Sequence, residues 1–346
     1  MAYSLAETSP VLARQKGLLQ AAIDNAMELP VPRRDRIELW VSQQRAQQTD
    51  NSGYVPDYGS LQFLREYVLK LTDYGLIDCA LAWGRCVYIA DRRFGHCWLN
   101  LLPVLVAAKV FGAAEVRVDD ALGQPRDEAS AIPPRILQYW DKPVSPPDVQ
   151  VMIASWRSTE GFSHRLVDDS EARAFLDGRF GARVREAYDR ITHVCGKSDL
   201  FRLAWLYEHG GIYVDVDERR VGPLVALLPA HSDLVLTWSR GIGSSCVNNW
   251  FIAVAPRHRL IGKALQMAIS RVEICITANI KMNTWQQTGP GVMSTVVLDD
   301  WAVNGQLADG FGLTLFSESE FRKIVVMNSG LDYKKGAEGN WRMRPS

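Results

Sequence analysis

The sequence is poor in the residues from which metal cages and disulfide scaffolds are built. Its six cysteines, Cys79, Cys86, Cys97, Cys195, Cys246 and Cys275, are spread over 346 residues with no C-x-x-C pair. Thiols this sparse do not form a disulfide framework, and reduced, mostly buried cysteines point to the cytoplasm. The six histidines are scattered, with no H-x-H or H-E-x-x-H spacing, which argues against a histidine-built zinc site. Net charge is also missing: Lys+Arg and Asp+Glu number 39 each. That balance argues against a polyanion such as bulk nucleic acid as partner, although a neutral sum can hide a local basic patch.

Long apolar runs are absent too. The most apolar window, "LNLLPVLVAAKVFGAA" (Leu99 to Ala114), is interrupted by Pro103 and Lys109 and reads as a buried helix rather than a membrane span. The amino end has no basic start followed by an apolar core, so no signal peptide is read. No transmembrane segment is therefore expected, though peripheral membrane association stays compatible with the sequence. Internal repeats and low-complexity segments are lacking as well.

What remains is an ordinary globular composition, 47% hydrophobic and 23% charged, long enough for one large α/β domain with an extension. Residues 1 to about 50 read as helical and polar. A Gly/Pro/Asn/Asp-rich loop, "TDNSGYVPDYGS", follows, then helix, strand, helix and strand up to about residue 118. The loop "ALGQPRDEASAIPP" sets a boundary near residue 130. This divides the chain into an extension at 1–130, mostly helical or α/β and of unknown role, and a second domain at 131–346. In that domain strands ("RILQYW", "HRLVDD", "IYVDVD", "DLVLTW", "NWFIAVA") alternate with helices ("VQVMIASWRS", "KSDLFRLAWLYEHGG", "HRLIGKALQMAISRVE"), which predicts a mostly parallel sheet covered on both faces.

Two nucleotide motifs almost fit and fail. "CGKSD" has the G-K-S of a phosphate loop, but Ile191 stands where the first glycine is needed. "GIGSSC" begins a G-x-G-x-x-G, but Cys246 holds its last place and a strand follows where a helix should start.

The informative stretch is "GGIYVDVDERR", Gly210 to Arg220. In a strand, residues two apart face the same side, so Asp215 and Asp217 look one way and Val216 looks toward the core. Such a carboxylate pair at the carboxyl end of a sheet strand suits Mg²⁺ or Mn²⁺, which take oxygen ligands and share their shell with substrate phosphates. Three acids this close, Glu218 included, repel unless a cation or a ring of donors sits among them. Alone, the triplet reads equally as a solvated strand-to-turn cap. The preceding helix tips the reading. "LFRLAWLY" is apolar on almost every side, and its charges, Asp199 and Arg202, lie three apart on one face. Charges on a buried helix that leads through Gly210-Gly211 into the acid pair look like a site, although an internal ion pair explains them too.

"IPPRILQYW", "SWRSTEGFSHRLVDD" and "KSDLFRLAWLYEHGGIYVDVD", in this order and spacing, closely resemble the DXD-containing glycosyltransferases of family 32. That family includes capsular polysaccharide transferases and yeast mannosyltransferases, with the clostridial glucosylating toxins as relatives. The match is strong from Ile132 to about Leu224 and looser through "NNWFIAVAPRH" and "TGPG" to "EGNW". Residues 1–130 have no counterpart in the short bacterial members.

The resemblance implies a GT-A type, Rossmann-like nucleotide-sugar-binding domain and a metal-dependent, retaining transferase. Its donor would be a UDP- or GDP-sugar, and its acceptor a glycan, lipid-linked or protein hydroxyl, as in surface polysaccharide synthesis. Asp215 and Asp217 would bind Mn²⁺ or Mg²⁺ and, through it, the donor diphosphate. Asp199 and Arg202 would hold the donor sugar, and Trp140 would stack on the base. Asn340 with Trp341 falls on a small polar residue and tryptophan that complete the metal and phosphate shell; the polar residue is more often Ser. Two other functional classes remain open: a catalytically silent nucleotide-sugar-binding protein and a Mg²⁺-dependent nucleotidyltransferase.

Overall fold

The structure is a computed structural model and describes residues 131–240, 245–304, 312–327 and 330–335. Nearly all of these belong to one compact unit, which comprises Phe111–Ser239, Cys246–Asp299 and Leu307–Ser346. The expected extension at 1–130 lies outside the described residues, and so do Asn340 and Trp341.

Eight strands and eight helices are described. They run β1 (Arg135–Tyr139), α1 (Pro147–Arg157), β2 (Ser163–Val167), α2 (Asp169–Phe180), α3 (Ala182–Arg190), α4 (Val194–His209), β3 (Gly211–Val214) and β4 (Glu218–Arg220). After these come β5 (Leu234–Arg240), β6 (Ser245–Val254), α5 (Arg259–Thr277), α6 (Thr284–Gln287), α7 (Pro290–Asn304), β7 (Leu313–Ser317), α8 (Glu318–Phe321) and β8 (Val325–Met327). Six strands form one sheet in the order β2-β1-β3-β6-β5-β7, while β4 and β8 pair separately. β1 runs parallel to both β2 and β3, and β5 parallel to β7, whereas β3 and β6 are antiparallel. The mixed α/β class and mostly parallel sheet thus match the sequence expectation, and the β3–β6 pairing at the centre is antiparallel.

The central strands of the sheet are buried on both faces, as strands covered by helices are, while the edge strand β2 is partly exposed. β3 is buried at all four of its positions. Ile136, Ile212, Val214, Val235, Phe251, Ala253 and Phe316 meet Trp156, Leu224 and Phe321 in one cluster. α4 is apolar nearly all round and correspondingly buried from Ser198 to Leu206, which makes it a core helix rather than an amphipathic surface one. Its C-terminus turns at Gly210 (φ +63°) and Gly211 (φ +100°). A Cβ at Gly211 would lie 2.7 Å from the Arg135 carbonyl oxygen, and one at Gly210 would lie 2.6 Å from the Pro256 nitrogen. Only glycine serves there, for backbone angle and for space alike. The acid pair that ends "HRLVDD" has a structural use: Asp168 caps α2 through a reciprocal bond with Glu171. Its neighbour Asp169 accepts from Lys197 Nζ (2.9 Å) and the Tyr188 hydroxyl (2.8 Å).

Among the described residues Cys195, Cys246 and Cys275 are free, and no helix is long and apolar enough to cross a membrane.

Candidate active site

Because β1 and β3 are parallel neighbours, with Leu137 opposite Tyr213, their carboxyl ends open at the same edge of the sheet. Trp140 follows the last residue of β1 and Asp215 the last residue of β3. This is the edge at which open α/β sheets bind ligands. β3 stops at Val214, one residue short of the acids, and the chain turns there through a Glu218 N–H bond to the Asp215 carbonyl (3.2 Å). Val216 points inward, 8% exposed, against Val149, Met152, Ile153 and Leu331, while Asp215 and Asp217 are half-buried. The alternation expected of the triplet is therefore present, although a turn carries it.

Each of the three acids has its own basic partner. Asp215 Oδ1 lies 3.0 Å from Arg202 Nη2 and accepts from the Tyr213 hydroxyl at 2.9 Å. Asp217 Oδ2 accepts from Lys334 Nζ. Glu218 Oε2 lies 2.5 Å from Arg322 Nη1. Glu218 is thereby separated from the other two: it is 1% exposed, and its strand pairs with β8. Burial pushes its carboxyl up to about 7 in spite of Arg322. Asp215 is pushed up to about 6 by burial, with Arg202 pulling it back and Asp217 adding to the rise. An acid raised in part by a second acid beside it marks a place that favours a cation.

Asp199 and Arg202 stand together behind this pair, 6% and 3% exposed. Asp199 Oδ1 accepts from Asn249 Nδ2 (2.7 Å) and lies 3.2 Å from Arg202 Nη2, and its Oδ2 accepts from the Thr288 hydroxyl (3.1 Å). Arg202 also donates to the Asn249 carbonyl (2.5 Å), the Ser198 carbonyl (3.3 Å) and the Ser198 hydroxyl (3.0 Å). Its guanidinium carbon sits 4.0 Å above the Tyr213 ring. Burial raises the Asp199 carboxyl, offset in part by Arg202, Thr288 and Asn249. Burial would lower the Arg202 guanidinium, but Asp215 and Asp199 hold it above its ordinary value. The same field reaches Cys195 one turn earlier, where burial and then Asp199 and Asp215 push the thiol up to about 12. Cys195 is therefore no thiolate nucleophile.

Trp140 donates its indole N–H to the Val144 carbonyl (3.1 Å) and meets Tyr333 edge-on, with centroids 5.3 Å apart. Tyr333 and Lys334 belong to a 3₁₀ turn, Asp332–Lys335, so one turn touches both Trp140 and Asp217. Under the acids, Gln138 is fully buried in β1. Its amide donates to the Asp215 carbonyl (3.3 Å) and its carbonyl accepts from His164 Nε2 (2.9 Å). Burial, then Arg157, lowers His164 to about 4, so the ring is neutral and carries its proton on Nε2.

The structure thus brings Trp140, Asp199, Arg202, Asp215 and Asp217 to one edge. Sequence reasoning missed Asn249, Thr288, Gln138, Tyr213, Tyr333 and Lys334. A signal existed for the first three: each is a polar residue inside an apolar or glycine-bounded segment, where burial demands a partner. None existed for Tyr333 and Lys334, whose role depends on a chain return from over a hundred residues away.

Among the described residues no three His, Cys, Asp or Glu side chains converge as a metal cage. The pair fits a Mg²⁺ or Mn²⁺ ion all the same. Such ions are commonly held by one or two carboxylates plus substrate phosphates, and here an ammonium group stands in as the cation at Asp217.

The arrangement is a half-buried carboxylate pair at a sheet's carboxyl edge, backed by a buried Asp–Arg pair and flanked by an aromatic, at the place where open α/β sheets bind ligands. Residues 146–234 match the family described as "glycosyltransferase sugar-binding region containing DXD motif", and both acids lie within that region. The chain is 23% identical over 209 residues to a Saccharomyces cerevisiae protein named as a glycosyltransferase, HOC1, covering 53% of each. It is 24% identical over 189 residues to the initiation-specific α-1,6-mannosyltransferase of Schizosaccharomyces pombe, covering 46% of this chain and 47% of that one. The chain spans about half the length of these curated relatives. Among solved structures it is similar to the PaToxG glycosyltransferase (TM-score 0.39, 18% identity, 68% of this chain and 95% of that one). It is also similar to the catalytic domain of alpha-toxin from Clostridium novyi (TM-score 0.39, 10% identity, 84% and 90%).

Proposed function

We propose that this protein is a metal-dependent, retaining glycosyltransferase that moves a sugar from a UDP- or GDP-sugar to a hydroxyl of a glycan, lipid-linked or protein acceptor, as in surface polysaccharide synthesis. The observation that carries this reading is the Asp215–Asp217 pair, which stands at the carboxyl edge of the sheet inside the region matched to the DXD family. A cytoplasmic setting, which the sparse cysteines of the sequence suggest, is part of the proposal.

In this reading Asp215 and Asp217 would hold Mn²⁺ or Mg²⁺, and the chemistry such an ion would supply is Lewis-acid stabilisation of the charge on a departing diphosphate. Trp140 offers its ring to the nucleotide base. Asp199 has the capacity for one more contact. A carboxylate has about four lone-pair sites, and Asn249, Thr288 and Arg202 use three of them. The remaining site receives a sugar hydroxyl. Arg202 directs all three of its nitrogens to protein acceptors, and its part is to hold Asp199 and Asp215 in register, a positioning role. The bond from the sugar's anomeric carbon to the phosphate oxygen breaks, with its electron pair leaving on the nucleoside diphosphate. The acceptor oxygen bonds to the same carbon from the same face, and its proton passes to the departing phosphate. By the resemblance to the DXD glycosyltransferases, Asn340 and Trp341 would complete the metal and phosphate shell.

The test is incubation with a panel of UDP- and GDP-sugars, GDP-mannose included, with Mn²⁺ or Mg²⁺, followed by chromatography of the products. Free nucleoside diphosphate supports the reading. Pyrophosphate would identify a nucleotidyltransferase, and donor binding without any product a silent sugar-nucleotide binder.

A further inference from the structure

The ion pair between Lys334 and Asp217 is not a chance reach of a surface lysine. Its turn is fastened on three sides. Leu331, just before it, is 1% exposed among Val149, Met152, Ile153 and Val216. The Asp332 N–H donates to Asp148 Oδ2 at 2.7 Å. Tyr333 lies against Trp140. The backbone therefore delivers the Lys334 ammonium to Asp217, two residues from Asp215.

A divalent ion at Asp215 and Asp217 repels an ammonium at the same carboxylate, since two cations within a few ångströms in a half-buried place oppose each other strongly. The lysine stem is flexible and its head is a point charge with three donors, so it can leave Asp217 while its backbone stays fastened. The anion then next to it is the diphosphate brought in with the metal. Resting on the donor-site reading above, we propose that Lys334 is a second cation of the donor site. It neutralises Asp217 when the site is empty and binds the donor's diphosphate once the metal has taken Asp217.

This predicts opposite effects on two equilibria. With the full chain, Mn²⁺ binding is followed by electron paramagnetic resonance, first without nucleotide. Binding of UDP and of GDP is then titrated at saturating Mn²⁺. Lys334→Met removes the competing ammonium and should tighten Mn²⁺ alone by about 2- to 5-fold, the worth of a partly exposed ion pair. It should weaken nucleoside diphosphate about tenfold or more, as loss of a charge-assisted phosphate contact does. Lys334→Arg, which keeps the charge, should bring both values back toward wild type. If Lys334→Met weakens both, or leaves either unchanged, the lysine is not shared and the proposal is overturned. Wild-type protein that binds neither Mn²⁺ nor nucleotide would overturn the donor-site reading itself, and this inference with it.

Discussion

Replacing Arg202 by methionine removes a buried guanidinium that faces two carboxylates and keeps the side-chain volume close to constant. Asp199 would retain Asn249 and Thr288, and Asp215 would retain Tyr213, but neither would have a cation in contact. Breaking a buried ion pair by deleting one partner costs about 3–5 kcal/mol, most of it the penalty of the charge left behind. Domains are stable by only about 5–15 kcal/mol, so the loss should be plain in urea denaturation followed by tryptophan fluorescence, with Cm lowered and m unchanged. The decisive variant is the double one. In Arg202→Met/Asp199→Asn the more deeply buried of the two orphaned charges is gone and only Asp215 is left without its cation, while an amide at 199 can accept from Asn249 and donate to Thr288, whose hydroxyl hydrogen then goes to the Thr284 carbonyl, 3.1 Å away. The double variant should be more stable than Arg202→Met alone by about 1–3 kcal/mol. A single variant that unfolds at the wild-type midpoint, or a double variant less stable than the single, would refute the assignment of Arg202 as the neutralising cation of this core.

Trp140→Ala should weaken donor and free nucleoside diphosphate alike by about 1–3 kcal/mol if its ring stacks on the base, whereas Asp199→Asn should cut transfer and leave nucleoside diphosphate affinity nearly unchanged in calorimetric titrations. Equal loss of nucleotide affinity in both would mean that the two roles are wrongly divided. His164 is neutral in the fold and lowered to about 4 from an ordinary 6.5, so the unfolded chain binds the extra proton between these values and stability falls as pH drops from 6.5 to 4. His164→Asn should flatten the pH dependence of Tm in that window, an effect of about 1–3 kcal/mol after discounting for partial exposure; an unchanged slope would show that the histidine does not carry it. Gly211→Ala should destabilise by more than the ~1 kcal/mol of an ordinary glycine replacement, because its Cβ meets the Arg135 carbonyl at 2.7 Å; a wild-type Tm would contradict the close approach of the β1 and β3 backbones there.

Much of this was legible before any coordinates. The apolar β-branched runs marked the buried strands, the Gly-Gly after "LYEH" marked the end of α4, and i,i+3 spacing put Asp199 and Arg202 on one face. Three things were not legible. The antiparallel entry of β6 beside β3 leaves no local trace, since a strand buried on both faces reads the same in either direction. The helix Pro290–Asn304 and the strands β7 and β8 lay in a stretch for which the pattern of alternation had yielded no elements. The partners of the acids were also hidden, because Lys334 and Arg322 are 117 and 104 residues from Asp217 and Glu218 and only the fold makes them neighbours. Three clustered acids implied a cation; the structure supplies three basic side chains, one for each.

The most direct test of the account is the metal dependence of donor cleavage by the wild-type protein beside Asp215→Asn and Asp217→Asn. Nucleoside diphosphate release from the preferred nucleotide sugar should stop with EDTA, return with Mn²⁺ or Mg²⁺, and be reduced by orders of magnitude in both variants while their circular dichroism and Tm show a folded protein. Full release in EDTA, or wild-type rates from folded Asp215→Asn and Asp217→Asn, would contradict the claim that this acid pair holds the ion on which transfer depends.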